Sequence, residues 1–92
     1  MPPIERSAKR HATVTLYGRP DCHLCDEARE QLLALLDEGL GFELRERNIE
    51  DDEELLARYL ELIPVVELDG VRVSELGLDR DGLLARLGTV SA

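Results

Sequence analysis

The chain has 92 residues, of which 43% are hydrophobic, and its formal net charge is −9. A chain of this length forms one domain with a modest core. Its acidic balance argues against binding nucleic acid through the phosphates. No apolar run is long enough to span a membrane, and the first residues lack the apolar segment of a secretory signal. We therefore expect a cytoplasmic protein without nucleic-acid or membrane partners, and we expect it to be a monomer.

The first twelve residues form a segment of their own, with no hydrophobic period and two prolines. This composition predicts a loosely ordered N-terminal tail over residues 1–12. Its basic residues outnumber its acidic ones, and they could contact a partner, although scattered cations are more often solvated. These basic residues are Arg6, Lys9 and Arg10, against Glu5.

The first predicted strand covers residues 13–17, a β-branched and aromatic run bounded by Gly18 and Pro20. From residue 22 to 36 the apolar positions recur at helical spacing, with charged residues on the other faces. This pattern predicts an amphipathic helix, which the glycines that follow should end.

The middle of the chain predicts a strand and a second helix. Residues 42–49 alternate between apolar and charged side chains, which suits a strand near a sheet edge. The acidic run over residues 50–54 should begin the helix, with Asp51 or Asp52 as its N-cap. A metal-binding interpretation of this run is weaker, because it lacks the interleaved glycine and spaced ligands of a calcium loop.

A β-hairpin is the clearest local signal, because Asp69-Gly70 separates the β-rich runs 63–68 and 71–74 and matches a two-residue type I′ turn. A last short helix follows. Asp79 or Asp81 should cap that helix, and Gly88 should stop it.

The predicted order is strand, helix, strand, helix, strand, strand, helix. The first β-α-β unit should form a parallel crossover, to which the hairpin adds antiparallel strands. We therefore expect an α/β domain over residues 13–88, with a central four-stranded mixed sheet and helices on both faces. Residues 89–92 would form a C-terminal tail.

Cys22 and Cys25 are the only cysteines, and they lie where the first strand meets the first helix. Helical spacing puts both on one face, which is typical of a redox motif. Cys22 at the helix start would be favoured as a thiolate, the reactive form. In a reducing cytosol a catalytic or metal role is preferred to a structural disulfide. The alternative is a buried, inert pair.

Two neighbouring cations are candidates for tuning the thiolate. His23 could favour the thiolate as a cation, join the cysteines as a metal ligand, or be a plain exposed residue. Arg19 could favour the Cys22 thiolate, meet a substrate carboxylate, or lie on the surface without a special role.

From about residue 13 to 87 the sequence resembles the small glutaredoxin-like proteins of the thioredoxin superfamily. The resemblance implies a thioredoxin-like, glutaredoxin-type βαβαββα fold. The sequence departs from the family in having no aromatic residue between the cysteines. It also has only Gly77 and Asp79 where the family carries a Gly-Gly and an acid that help to bind glutathione. The motifs that carry the resemblance are Leu16-Tyr17-Gly18-Arg19-Pro20-Asp21-Cys22-His23-Leu24-Cys25, Ile63-Pro64-Val65-Val66 and Asp69-Gly70.

The resemblance implies a thiol–disulfide oxidoreductase in which Cys22 attacks a substrate disulfide and Cys25 resolves the mixed disulfide. It also implies a cis bond at Ile63–Pro64 beside the sulfurs, with the Ile63 backbone exposed to an extended substrate. Gly77 is a further candidate for substrate binding. The expected substrate is a protein disulfide or a glutathione mixed disulfide.

Turnover would need a thiol reductant, with glutathione as a possible redox partner. We expect no bound cofactor and no metal. Two other functions stay open at this point. One is metal or iron–sulfur binding through Cys22 and Cys25 in a dimer, with His23 or His11 as a further ligand. The other is a non-catalytic binding module that uses the Pro64 groove or the tail.

Overall fold

The computed structural model describes residues 12–91. The elements follow the predicted order βαβαββα, and a short 3-10 turn over Ile49–Asp51 precedes the second helix. In chain order they are β1 (Ala12–Gly18), α1 (His23–Asp37), β2 (Phe42–Asn48), α2 (Glu53–Tyr59), β3 (Val65–Leu68), β4 (Val71–Glu75) and α3 (Arg80–Ser91).

The four strands form one mixed sheet in the order β2-β1-β3-β4. β1 pairs in parallel with β2 and antiparallel with β3, and β4 is antiparallel to β3. The apolar strands β1 and β3 therefore lie at the centre. β2, with its charged outer positions, lies at an edge, as its sequence predicts.

Helices cover both faces of the sheet. On one face, Leu32 of α1 and Leu83 of α3 pack in the main core cluster against inward residues of β1 and β3. On the other face, Tyr59 of α2 packs with Ile49 and Val65 in a smaller cluster. The alternating burial along β1 reflects this arrangement, since successive side chains point to opposite faces.

Local hydrogen bonds explain several element boundaries. The Asp52 carboxylate accepts the main-chain N–H groups of Glu54 and Leu55 at 2.8 and 3.3 Å, which makes it the N-cap of α2. In the hairpin, Asp69 and Gly70 have φ values of 51° and 86°. Two successive positive φ values are those of a type I′ turn, which confirms the predicted hairpin.

Several predicted boundaries differ from the observed ones by one to three residues, and three of these differences are instructive. β3 begins at Val65 rather than residue 63, because Pro64 has no N–H to donate to a neighbouring strand. β2 ends at Asn48, whose side chain caps the 3-10 turn. α3 continues past Gly88 to Ser91. A glycine without a positive φ lowers helix stability by only about 1 kcal/mol and does not by itself end a helix.

The predicted loosely ordered N-terminal tail covers residues 1–12. Residues 1–11 lie outside the part of the chain that the structure describes. None of the helices between residues 12 and 91 combines the length and the apolar character that a membrane-spanning segment needs.

Candidate active site

Cys22 and Cys25 form a disulfide at the start of α1. Cys22 is the N-cap residue, with an extended backbone (φ −111°, ψ 107°), and Cys25 lies in the first helical turn. The N-cap position leaves Cys22 just outside the helix. Its side chain therefore faces the main-chain N–H groups that the first turn leaves unpaired.

The two sulfurs differ in their surroundings. Cys22 is partly exposed, whereas Cys25 is only 2% exposed. The Sγ atom of Cys22 also accepts the main-chain N–H of Cys25 at 3.1 Å. A donor held at this position stabilises negative charge on the sulfur that it faces. The geometry thus gives one accessible sulfur with a fixed donor and one shielded sulfur.

Gly18, the last residue of β1, lies directly against the shielded sulfur. A Cβ atom added at Gly18 would be 2.9 Å from Sγ and 3.1 Å from Cβ of Cys25. A glycine is therefore required for α1 to approach the strand this closely. In the sequence, Gly18 stands out only as the boundary of the first strand and as part of the motif that carries the family resemblance. A glycine between a buried strand and a Cys-x-x-Cys motif was the signal for this contact.

The two cations proposed to tune the thiolate both face carboxylates. The Nε2 atom of His23 lies 2.9 Å from the Glu27 carboxylate, and the His23 side chain is 85% exposed. The Arg19 guanidinium lies 4.0 Å from the carboxylate of Glu50. Any positive charge near the disulfide is thus partly compensated, and tuning by these residues stays a prediction.

A cleft of about 360 Å³ opens at the carboxyl ends of β1 and β2, with Cys25 in its wall. Arg29 of α1 spans its side, with its Nε atom 2.7 Å from Glu46 of β2 and its Nη1 atom 3.3 Å from Asp26. The hydrogen bond to Glu46 is the main cause of the raised pKa of Arg29. This bridge ties α1 to β2 beside Cys25. Arg19 and Arg47 also line the cleft.

Ile63 and Pro64 are joined by a cis peptide bond. Tyr17 pairs with Val65 in the sheet, so extending the register by one residue places Pro64 at the level of Gly18. The N–H of Ile63 already donates to the Tyr59 carbonyl at 3.0 Å. An extended substrate at this position would therefore have to pair with the Ile63 carbonyl, because the N–H is used within the protein.

Gly77 and Asp79, the remaining counterparts of the family's glutathione-binding segment, make internal contacts. Gly77 has a φ of 147°, a conformation that favours glycine, and its N–H lies 3.4 Å from the Pro64 carbonyl. Asp79 accepts the main-chain N–H of Gly82 at 3.0 Å and so caps α3. Gly77 thus lies beside Pro64, while substrate binding by Gly77 stays a prediction.

Among residues 12–91, no three His, Cys, Asp or Glu side chains lie close enough together to hold a metal ion. His11 lies outside the described residues. Within one chain the described residues thus supply fewer protein ligands than a structural zinc site uses.

A polar cluster that our sequence analysis missed lies on the sheet face covered by α2. The hydroxyl groups of Tyr17 and Tyr59 both donate to the Glu67 carboxylate, at 3.2 and 2.6 Å. Burial, followed by the charge of Glu67, raises the pKa of Tyr17. The cluster joins β1, α2 and β3 next to the strand end that carries Gly18.

This sheet, with its disulfide at the start of α1, defines a thioredoxin fold. A mutant thioredoxin from Halobacterium salinarum has the same fold, with a TM-score of 0.63 at 16% identity over 100% of this chain and 86% of that one. Residues 13–88 match the glutaredoxin-like domain (DUF836), and the chain belongs to this family. No curated protein matches the chain.

Two solved structures share more of the sequence. Protein Ne2328 from Nitrosomonas europaea is 31% identical, with a TM-score of 0.70 over 83% of this chain and 91% of that one. Protein XcR50 from X. campestris is 33% identical, with a TM-score of 0.62 over 83% and 96% of the two chains. The family, the fold and the Cys22–Cys25 disulfide together support a thiol–disulfide redox function.

Proposed function

We propose that this protein is a thiol–disulfide oxidoreductase in which Cys22 is the nucleophile and Cys25 the resolving thiol. The observation that carries the proposal is the asymmetry of the two sulfurs. Cys22 is accessible and faces the N–H of Cys25 at 3.1 Å, whereas Cys25 is almost fully buried. A substrate disulfide can reach only the first sulfur, and the second attacks from within.

The reaction is two successive thiol–disulfide exchanges. The Cys22 thiolate attacks one sulfur of the substrate disulfide, forms a mixed disulfide and releases the other sulfur as a thiolate, which takes up a proton. Cys25 then loses its proton and attacks Sγ of Cys22. This step forms the Cys22–Cys25 disulfide and releases the second substrate thiol. Two electrons pass to the substrate, and a thiol reductant restores the dithiol.

The surrounding residues have supporting roles in this proposal. Arg19 and His23 would adjust the charge near Cys22, within the limits set by their carboxylate neighbours. The Ile63 carbonyl and the cis bond to Pro64 would receive an extended substrate, with Gly77 bordering Pro64. The substrate is a protein disulfide or a glutathione mixed disulfide, the protein acts as a cytoplasmic monomer, and the reaction needs no bound cofactor.

A redox titration in glutathione buffers tests the proposal, with free thiols and mass measured for the wild type, Cys22→Ser and Cys25→Ser. We expect a single reversible two-electron transition for the wild type. Cys25→Ser should collect one glutathione, because no thiol resolves the mixed disulfide, whereas Cys22→Ser should not. Equal glutathione uptake by both variants, or no reversible disulfide in the wild type, would overturn the proposed roles.

A further inference from the structure

Tyr17 of β1 and Tyr59 of α2 are in ring contact on the sheet face covered by α2. Their ring centroids are 4.9 Å apart, and the ring planes are inclined at 49°. Of the aromatic side chains, tyrosine and tryptophan lose an electron most readily, and this chain has two tyrosines and no tryptophan. A one-electron oxidant that attacks an aromatic residue of this protein therefore acts on this pair.

The carboxylate of Glu67 is a proton acceptor shared by both phenols. Tyr17 donates to its Oε1 atom at 3.2 Å and Tyr59 to its Oε2 atom at 2.6 Å. Burial, followed by the charge of Glu67, raises the pKa of Tyr17, so the phenol keeps its proton at neutral pH. A phenol that loses an electron becomes a strong acid, and its proton moves to a base within hydrogen-bond reach. Glu67 is in place to accept it from either ring.

The same contacts bring together the ring carbons that could form a bond. Phenoxyl radicals couple mainly through the carbons next to the oxygen atom. Both hydroxyl groups end on one carboxylate and the rings are in contact, so the carbons beside the two hydroxyl groups lie close to each other. The pair is thus arranged to couple within one chain.

The surroundings of the two rings favour coupling within the chain over coupling between chains. Tyr59 is only 2% exposed, whereas Tyr17 is partly exposed. The guanidinium carbon atoms of Arg58 and Arg72 lie 5.7 and 5.3 Å from the centre of the Tyr59 ring. A cation over a ring attracts its electrons and opposes their removal. We therefore expect an oxidant to act first on Tyr17, whose radical has Tyr59 beside it.

We propose that Tyr17 and Tyr59 form an oxidative cross-linking site, in which a one-electron oxidant joins the two rings by a carbon–carbon bond and Glu67 accepts the phenolic protons. Each ring gives up one electron, and two equivalents of the oxidant are reduced. Glu67, which is partly exposed, passes the protons to solvent. When the bond forms, each joined carbon loses its hydrogen as a proton and each phenolic oxygen takes one up, so that two protons leave in total.

The cross-link lies outside the chemistry of the proposed function. It uses neither cysteine, and a thiol does not reduce a carbon–carbon bond. The product joins β1 to α2 at the strand end that carries Gly18, which contacts Cys25. The chain would thus retain a permanent mark of one-electron oxidation close to a disulfide that is reversible.

The test exposes the dilute full chain, in its disulfide form so that no thiol consumes the oxidant, to photo-generated tris(bipyridine)ruthenium(III) with persulfate as the electron acceptor. Dityrosine fluorescence follows the reaction, and intact mass under denaturing conditions identifies the product. We expect a monomer that is lighter by two hydrogen atoms, with a peptide map that links Tyr17 to Tyr59. This product should unfold at a higher urea concentration than the untreated chain, because a covalent link between distant residues restricts the unfolded state.

Two comparisons show whether the folded arrangement is the cause. In urea at a concentration that unfolds the chain, the yield of the intramolecular product should fall sharply, because the rings separate. Glu67→Gln keeps a group of the same shape that cannot hold the proton, so the rate of dityrosine formation should fall by about tenfold or more. Glu43→Gln, at an exposed position of β2, is the matched control and should keep the wild-type rate. Circular dichroism checks that both variants are folded.

The outcomes decide the proposal either way. A product that links the two tyrosines in the folded chain, and that forms slowly without the Glu67 carboxylate, supports the site. Cross-links between chains only, or no dityrosine, would overturn it. So would an equal yield in urea, or a wild-type rate in Glu67→Gln. None of these results bears on Cys22 and Cys25, so the proposed function is judged separately by the glutathione titration.

Discussion

Gly18 and Cys25 are in contact across the junction of β1 and α1, at a distance that leaves no room for a side chain at residue 18. The nearest atom to an added Cβ would be the buried sulfur itself, at 2.9 Å. The position of Cys25, the proposed resolving thiol, therefore depends on a residue that has no side chain. We therefore expect Gly18 to act as a positioning residue for Cys25.

Gly18→Ala should displace Cys25 and destabilise the fold by about 1–3 kcal/mol, as overpacking of a buried contact does. It should also slow the resolving step, so that a mixed disulfide with Cys22 persists longer than in the wild type. Denaturant unfolding and mass measurement after mixing with a disulfide check the two effects. Gly41→Ala is the control, since its added Cβ meets nothing within 4 Å. Equal behaviour of the two variants would contradict the positioning role.

The Tyr17–Glu67 contact predicts the behaviour of the protein in alkaline solution. The pKa of Tyr17 is raised in the folded state, so its stabilising effect is complete below about pH 10, the ordinary tyrosine value, and is lost as the pH rises above it. The free energy of unfolding should therefore fall with pH in that range. Tyr17 and Tyr59 are the only tyrosines and there is no tryptophan, so phenolate absorbance reports on these two groups alone.

Glu67→Gln removes the carboxylate charge and should bring the Tyr17 titration closer to the ordinary range. Its unfolding free energy should depend less steeply on alkaline pH. At neutral pH the variant should lose about 1 kcal/mol, because the two hydroxyl groups lose a charged acceptor. Glu43→Gln, at an exposed position of β2, should change neither property. A tyrosine titration that is the same in the wild type and Glu67→Gln would show that Glu67 has no such effect.

The Arg29 bridge between Asp26 and Glu46 predicts a modest and salt-dependent contribution to stability. Arg29→Met should lower the free energy of unfolding by about 1 kcal/mol or less at low salt, since all three side chains are partly exposed. The difference should shrink in high salt, because screening weakens surface pairs. Arg45→Met removes a pair within β2 and should have a smaller effect, since it joins no separate elements. A larger loss from Arg45→Met would be evidence against a bridging role.

Asp52 caps α2 with two hydrogen bonds, so Asp52→Ala should destabilise the protein by about 1 kcal/mol. Asp52→Asn keeps the oxygen acceptor and should recover most of this loss. Denaturant titration of the wild type, Asp52→Ala and Asp52→Asn measures these differences in the free energy of unfolding. If asparagine were no better than alanine, the charge of Asp52 at the helix start would matter more than the hydrogen bonds.

The elements that could be predicted from sequence are those with a strong local signal. Asp69-Gly70 specifies a turn whose two positive φ values few other residue pairs accept. Asp52 lies three residues ahead of the first apolar position of α2. Its carboxylate can accept the main-chain N–H groups that the first turn of α2 leaves unpaired. The spacing of Cys22 and Cys25 at a strand-to-helix junction indicates a redox motif. Each of these signals lies within a few neighbouring residues.

What the sequence analysis did not find depends on how separate elements are placed against each other. The Gly18–Cys25 contact requires the angle at which α1 leaves β1, and the bridge from Arg29 to Glu46 requires the pairing of β2 with β1. The end of α3 was misjudged for a different reason. Gly88 ends a helix only when its backbone turns left-handed, and the residue type alone does not determine that.

The central claim is that Cys22 is an activated nucleophile held at the start of α1. The most direct measurement is the rate of iodoacetamide alkylation of Cys22 as a function of pH, made on the reduced Cys25→Ser variant so that one thiol is followed. We predict a half-maximal rate at a pH clearly below about 8.5, the value of an ordinary thiol. A half-maximal rate at or above that pH would contradict the account.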